Sequence, residues 1–228
     1  MTGPNQPIAY PILIRLAKTG LMRFIGHLDF LAMQQAMFLR AGLKIVVGEG
    51  PSRRLKLKTS PPTPVGVASK CEFTYLLLAE PVYPDEAKRR LADQCPTGID
   101  IVSVKDAGQL VRKNPLGAIE ATGYDLDFGF ELDRSLAERI SAAFEEIRSG
   151  PSPDEIEPEA IRQFWGRIID FAITNGRPTL LALQREGETF HAARCAEYLE
   201  KSLDLPHYPI FAKLDYYRLK PSKRRLFA

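Results

Sequence analysis

The fold is decided by residues 10–18, YPILIRLAK, and by residues 27–41, HLDFLAMQQAMFLRA. The first stretch is rich in β-forming residues and ends in the turn residues Thr19 and Gly20, which predicts a strand. In the second stretch apolar residues recur near the helical period and Gly42 can serve as a C-terminal cap, which predicts a helix. The periodic residues are Leu28, Leu31, Ala32, Ala36 and Leu39. The other sides of this helix are apolar too, so we expect it to be deeply buried.

The segments that follow extend this pair into a longer series. Strands are predicted at residues 54–60 and 71–79, on either side of a proline-rich segment that excludes a helix. A second helix is predicted at residues 83–94, and an alternating strand at residues 99–105 completes the series. The order strand, helix, strand, strand, helix, strand is that of the ferredoxin-like topology.

The rest of the chain predicts the same order a second time. The expected elements are strands at residues 120–132, 166–174, 179–185 and 211–220, and helices at residues 135–148 and 190–203. We therefore expect an α+β fold of two tandem ferredoxin-like (βαββαβ) halves with antiparallel sheets. The first half would occupy residues 1–110 and the second residues 111–228, which end in a basic tail.

Composition narrows the class of protein. No apolar run approaches the roughly 18 residues of a membrane span, and residues 1–11 lack the pattern of a signal peptide, so we expect a cytoplasmic protein without a membrane partner. Cys71, Cys95 and Cys195 are too far apart for a CxxC knuckle, and we expect them to be buried thiols. The sequence contains no Walker loop, GxGxxG, GxSxG or HExxH. It therefore indicates neither a metal nor a cofactor.

Charge is distributed unevenly, because two basic regions, residues 1–110 and 213–228, flank an acidic one. In the strand expected at residues 54–60, alternation places Arg54, Lys56 and Lys58 on one face. This stripe could follow a phosphate backbone or could be a solvated sheet edge. Three further basic residues favour an anion-binding surface: Arg15, Lys18 and Arg23.

The turn into the first helix carries the densest group of polar residues, RFIGHLD at residues 23–29. His27 and Asp29 would stand at a helix start, where free backbone N–H groups favour anions. His27 could therefore bind phosphate or act as a general base. In the alternative interpretation, His27 and Asp29 only tie down the strand-to-helix turn.

Several of these residues form a pattern: Arg15, Lys18, RFIGHLD at 23–29 and PPTPVGVASKCE at 61–72. In this combination the chain resembles the radical-SAM-linked family of domains of unknown function, mainly over residues 11–106. It departs from that family at Gln34 and Gln35, where relatives often show arginines. The resemblance implies an accessory role beside a radical SAM protein, with RNA as a substrate that the chain could present. The chain has no CxxxCxxC motif, so the iron–sulfur chemistry would belong to that partner.

Three functions are compatible with these features. In the first, which we favour, a non-catalytic accessory protein holds RNA or another phosphate-bearing substrate and docks a radical SAM protein. In the second, the chain resembles the CRISPR repeat-processing endonucleases and cleaves RNA without a metal, with His27 as the base that takes the proton of the attacking 2′-hydroxyl. In the third, the chain is a protein-binding scaffold whose acidic middle region, including the loop 149–159, contacts a basic partner. A buried stripe at residues 54–58 would favour the third.

Overall fold

The computed structural model describes residues 9–48, 55–108, 116, 119–150, 164–174, 176–185, 188–207, 209–218 and 224–225. The chain divides into two compact units, one formed by Met1–Pro62 with Lys70–Gly117 and the other by Thr63–Ser69 with Ala118–Ala228. Most of the first half of the sequence therefore lies in the first unit. The segment Thr63–Ser69 is the exception, because it belongs to the second unit.

The described residues of the first unit form strands and helices in the order strand, helix, strand, strand, helix, strand. They are β1 (Tyr10–Lys18), α1 (His27–Arg40), β2 (Leu57–Thr59), β3 (Ala68–Leu78), α2 (Pro84–Ala92) and β4 (Ile99–Asp106). The sheet order is β4-β1-β3-β2, and β1 pairs with β4, and β2 with β3, in antiparallel fashion. A 3-10 helix, Gly20–Phe24, lies between β1 and α1. Strand β2 is shorter than the strand predicted at 54–60, because Leu55 forms only an isolated bridge with Val47.

Alternation along β1 separates the two faces of this sheet. Ile12, Ile14 and Leu16 are buried in the core that α1 and α2 cover, and Leu76 and Leu78 of β3 join them. Because successive side chains of a strand point to opposite faces, the residues between them are directed away from this core. One face of the sheet thus holds the helices, and the other face carries the intervening side chains.

Helix α1 faces the core with a different side from the one expected. Its buried residues are Phe30, Gln34, Met37 and Phe38. Leu28 and Leu39, which belong to the periodic set, are 78% and 56% exposed. The prediction of a deeply buried helix is therefore wrong. The two phenylalanines and Met37 are larger than the alanines of the periodic set, so burying their side removes more apolar surface from water.

The second unit has more strands. They and its helices are β5 (Ala121–Asp127), α3 (Arg134–Ser149), β6 (Ile168–Thr174), β7 (Arg177–Arg185), β8 (Glu188–Thr189), α4 (Ala192–Leu203), β9 (Ile210–Arg218) and β10 (Arg224–Arg225). The sheet order is β9-β5-β7-β6, all antiparallel, with β8 beside β7 and β10 beside β9. Ala68 and Ser69, at the start of β3, pair in parallel with β9.

Aromatic rings occupy the centre of the second unit's core. Tyr124, Phe190 and Phe211 contact one another, with ring centroids 5.6, 5.9 and 6.0 Å apart. Helix α3 begins where Asp133 accepts a hydrogen bond of 2.7 Å from the backbone N–H of Leu136, an ordinary N-cap. Helix α3 contacts its sheet through Phe144, whose ring centroid lies 5.5 Å from that of Phe171 on β6.

The mixed α+β class and the mostly antiparallel strand pairing are confirmed. Within the described ranges, no helix is both long and apolar enough to cross a membrane. Cys71 and Cys195 are buried, whereas Cys95 is half-buried. Burial raises the pKa of the Cys95 and Cys195 thiols, which keeps them protonated near neutral pH. Among the described residues, no group of three or more His, Cys, Asp or Glu is arranged to hold a metal ion.

The start of α4 makes the second unit's stability depend on pH. His191 is its N-cap, and its Nδ1 accepts a hydrogen bond of 3.4 Å from the backbone N–H of Arg194. Burial, followed by the positive charge of Arg194, lowers the pKa of His191 below its usual value of about 6.5. Below about pH 6.5, His191 of the unfolded chain binds a proton more readily than His191 of the folded chain. The stabilisation is therefore complete above about pH 6.5 and falls as the pH drops through the folded-state pKa.

We expect unfolding in urea, followed by the fluorescence of Trp165, to give a lower free energy of unfolding at pH 5 than at pH 7.5. A His191→Asn variant keeps an oxygen acceptor that does not titrate, so this part of the pH dependence should disappear. An equal pH dependence in the variant would show that His191 is not its source.

Candidate anion-binding surface

Four basic side chains lie on the face of the first unit's sheet that is directed away from its core. Arg15 stands between Ile14 and Leu16, both of which point to the core. Lys56 and Lys58 alternate with Leu55 and Leu57. The two leucines pack against the core on the opposite face of the sheet. The fourth is Lys105 of β4. We call Arg15, Lys56, Lys58 and Lys105 the basic face.

Strand pairing sets the position of each lysine. Lys58 lies opposite Tyr75, and Lys105 lies opposite Leu13, the neighbour of Ile12 and Ile14. Lys56 precedes β2, and its backbone is fixed on both sides: its N–H donates to the Val46 carbonyl at 2.8 Å and its carbonyl accepts from the N–H of Leu77 at 3.3 Å. Backbone hydrogen bonds and strand pairing thus fix the Cα positions of the three lysines.

Arg15 is the most constrained member of the basic face. Its Nε donates a hydrogen bond of 2.9 Å to the carbonyl oxygen of Lys70 on β3. Its guanidinium carbon lies 5.6 Å from the ring centroid of Phe73, within the range of a cation–π contact. A guanidinium held in this way loses little conformational entropy when it binds an anion.

The charge of the basic face is mostly positive. Lys56, Lys58 and Lys105 are exposed, and none of them takes part in an ion pair with another described residue. Asp100, which lies opposite Ala17, adds one acidic side chain to the same face. Exposed lysines that are not engaged in ion pairs are suited to attract a phosphate.

Two aromatic rings of β3 lie among these charges but are covered. Phe73 is 2% exposed and Tyr75 is 9% exposed, and burial raises the pKa of the Tyr75 phenol. In sheets that bind single-stranded RNA through its bases, rings at such positions are exposed and stack on the bases. The basic face therefore offers charge for phosphates and little ring surface for bases.

A second group of predicted residues gathers at the corner between β1 and α1. Arg23 lies in the 3-10 helix, with its guanidinium carbon 4.6 Å from the Phe24 ring centroid. Its Nε is buried and has no hydrogen-bond partner among the described residues. His27 is the first residue of α1, and Asp29 is exposed in the first turn. The backbone closes this turn itself, through bonds such as the N–H of Phe30 donating to the Gly26 carbonyl at 2.9 Å.

Lys18 lies in neither group. It follows Leu16 on the core side of β1, is 1% exposed, and places its Nζ 5.2 Å from the ring centroid of Phe30 on α1. Gln34, one turn further along α1, is also buried and accepts a hydrogen bond of 2.6 Å from the hydroxyl of Thr74. These polar groups stand beneath the helix, within the core.

The structure thus divides the predicted site residues. Arg15, Lys56 and Lys58 share the basic face, whereas Arg23, His27 and Asp29 form the corner. The stripe is exposed at Lys56 and Lys58, so the burial that would favour a scaffold is not found there. Arg54 lies outside the described residues. Lys105 was missed by sequence reasoning, because its place on this face depends on the register between β1 and β4.

A family assignment follows from the sequence of these regions. Residues 12–163 match the family described as "Uncharacterized protein conserved in bacteria (DUF2344)". The chain belongs to this family. The match covers the basic face and the corner, but the description of DUF2344 states no function and does not mention radical SAM proteins. A comparison with curated proteins gives no match.

Gln34 should stabilise the fold and should not contact a ligand. A Thr74→Val variant removes the donor and leaves the buried Gln34 oxygen without it, which we expect to cost about 1–3 kcal/mol of unfolding free energy in urea. The double variant Gln34→Met with Thr74→Val removes both partners and should lose less than the single variant. A single variant as stable as the native chain would show that this hydrogen bond contributes nothing.

Proposed function

We propose that this protein is a non-catalytic accessory protein that holds RNA, or another phosphate-bearing substrate, on the basic face and works beside a radical SAM enzyme. The observation that carries the proposal is that Arg15, Lys56, Lys58 and Lys105 share one sheet face. From β4 to β2 there are three strand spacings, a width of about 14 Å. Phosphates of one nucleic-acid strand recur about every 3.4 Å along the axis of a double helix and are further apart along the strand itself, so this width spans more than one of them.

The ferredoxin-like topology of both units is part of this proposal. In the first unit the sheet order is fourth, first, third and second strand. In the second unit β9, β5, β7 and β6 repeat that order, if β8 and β10 are taken as additions. This topology places both helices on one face of each sheet. On the other face of the first unit's sheet, Lys56, Lys58 and Lys105 are exposed, whereas Leu13 and Phe73 are buried.

The binding expected from such a surface is electrostatic. Lysine and arginine contacts to phosphates position a nucleic acid but carry no direct sequence information. Since the rings of Phe73 and Tyr75 are buried, base stacking adds little. We expect affinity for RNA to fall steeply with salt and to vary little with base sequence.

The radical SAM partner is supported by the sequence resemblance, which rests on Arg15, Lys18, residues 23–29 and residues 61–72. Because the sequence has no CxxxCxxC motif, an accessory protein is the form in which this chain would take part in radical SAM chemistry. The chain would hold the substrate, and the partner would supply the cluster.

RNA binding can be measured by fluorescence anisotropy with a labelled single-stranded oligonucleotide at roughly 50 and 200 mM salt. We expect a Lys56→Glu, Lys58→Glu variant to bind at least about tenfold more weakly. The slope of log K against log salt should shrink by about 1 to 2, because two phosphate contacts are lost.

The matched control is Lys88→Glu with Lys201→Glu, which changes the net charge equally at exposed positions of α2 and α4. It should bind nearly as well as the native chain. Equal weakening in both double variants would mean that total charge, and not the basic face, governs binding. If the RNA is recovered as fragments, and a His27→Ala variant leaves it intact, the protein is a nuclease and the accessory function is wrong.

The partner can be tested separately. A tagged chain expressed in a bacterium that encodes it should retain a protein with a CxxxCxxC motif, identified by mass spectrometry after cross-linking. An unrelated protein that carries the same tag serves as the control. Retention of other proteins alone would contradict the radical SAM partnership and would leave the RNA measurement unaffected.

A further inference from the structure

The outermost side of α1 is apolar along its whole length. Leu28 and Leu39 are largely exposed, and Ala32 and Ala36 between them are exposed as well. At about 100° per residue, these four side chains fall within an arc of about 80°. This arc lies opposite the buried residues of the helix. The side that points most directly to solvent therefore carries no charge.

The other long helices in the described part of the chain are different. On α2, Arg89 and Arg90 form ion pairs with Glu86. On α3, Arg134 pairs with Glu138 and Arg148 with Glu145. Such charged outer sides are usual for helices that lie on a protein surface, whereas a helix that is apolar all round is usually covered. Helix α1 differs from them, because its outermost side is both apolar and exposed.

We propose that a second copy of this chain covers the apolar side of α1, through an antiparallel pair of α1 helices related by a two-fold axis. The apolar stripe consists of Leu28, Ala32, Ala36 and Leu39, so the order of residue types is the same in both directions along the helix. Leu28 and Leu39 are separated by about 16.5 Å along the axis. In an antiparallel pair, Leu28 of one copy packs on Leu39 of the second copy, and the alanines meet at the centre. Their small side chains let the two helix axes approach to about 8 Å.

The charges beside the stripe fit the same arrangement. Asp29 and Arg40 are exposed, lie on the same flank of α1, and are separated by the same eleven positions as the two leucines. A two-fold axis perpendicular to the helices keeps this flank on one side of the pair, so Asp29 of each copy meets Arg40 of the other. A parallel pair brings like residues to the same level and forms no such ion pair. Arg40 can move to its new partner, because its present hydrogen bond to the Gln94 carbonyl is long, at 3.4 Å.

The mass of the full chain in solution tests the pairing. Sedimentation velocity over a range of concentrations should show a species of about twice the 25.5 kDa of one chain. Ala36→Arg places a charge at the centre of the stripe and should leave only the single chain at the same concentrations. Ala142→Arg, at an exposed position in the middle of α3, is the matched control and should pair like the native chain. Circular dichroism establishes that each variant is folded.

Charge reversal tests the antiparallel arrangement. Asp29→Arg or Arg40→Asp alone places like charges together and should weaken the pairing several-fold, whereas the double variant restores opposite charges and should recover the native affinity. A single chain at all concentrations, or a pair that survives Ala36→Arg, would overturn the proposal. A double variant no better than the single ones would overturn the antiparallel geometry. Retention of an unrelated protein by the stripe, with no self-association, would mean that a different partner covers it.

Discussion

The alternation of side chains along β1 is the constraint on which the first unit depends. Ile12, Ile14 and Leu16 point to one face and fix α1 above it, which leaves Arg15 on the other face. A shift of one residue in this strand would exchange the two sets and bury a guanidinium in the core. The core and the basic face are therefore two results of one pattern, and neither can change without the other.

Local patterns were enough to predict most elements, because the spacing of apolar residues within a segment indicates whether that segment forms a strand or a helix. The orientation of α1 was not predictable in this way, since a helix that is apolar on all sides has no preferred side until its neighbours are known. Lys18 shows the same limit: its type suggests a surface, but its place in the alternation puts it beneath Phe30. Lys105 became part of the site only through the register of β4 on β1.

The two proposed surfaces of the first unit do not compete. Helix α1 lies on the core side of the sheet, and the basic face lies on the opposite side. A pair of chains joined through α1 would leave both basic faces uncovered. If RNA binds there, each pair would present two equivalent phosphate-binding surfaces, and a long RNA that reached both would be held more tightly than a short one.

The segment Thr63–Ser69 gives the chain an interlaced connectivity. The backbone enters the second unit at this segment, returns to complete the first unit, and then crosses over again after Gly117. Ala68 and Ser69 pair with β9, whose residues lie near the other end of the sequence. No single cut in the gene can therefore separate the two units. A cut near residue 69 divides β3, and a cut near residue 117 leaves Ala68 and Ser69 on a different fragment from β9, their strand partner.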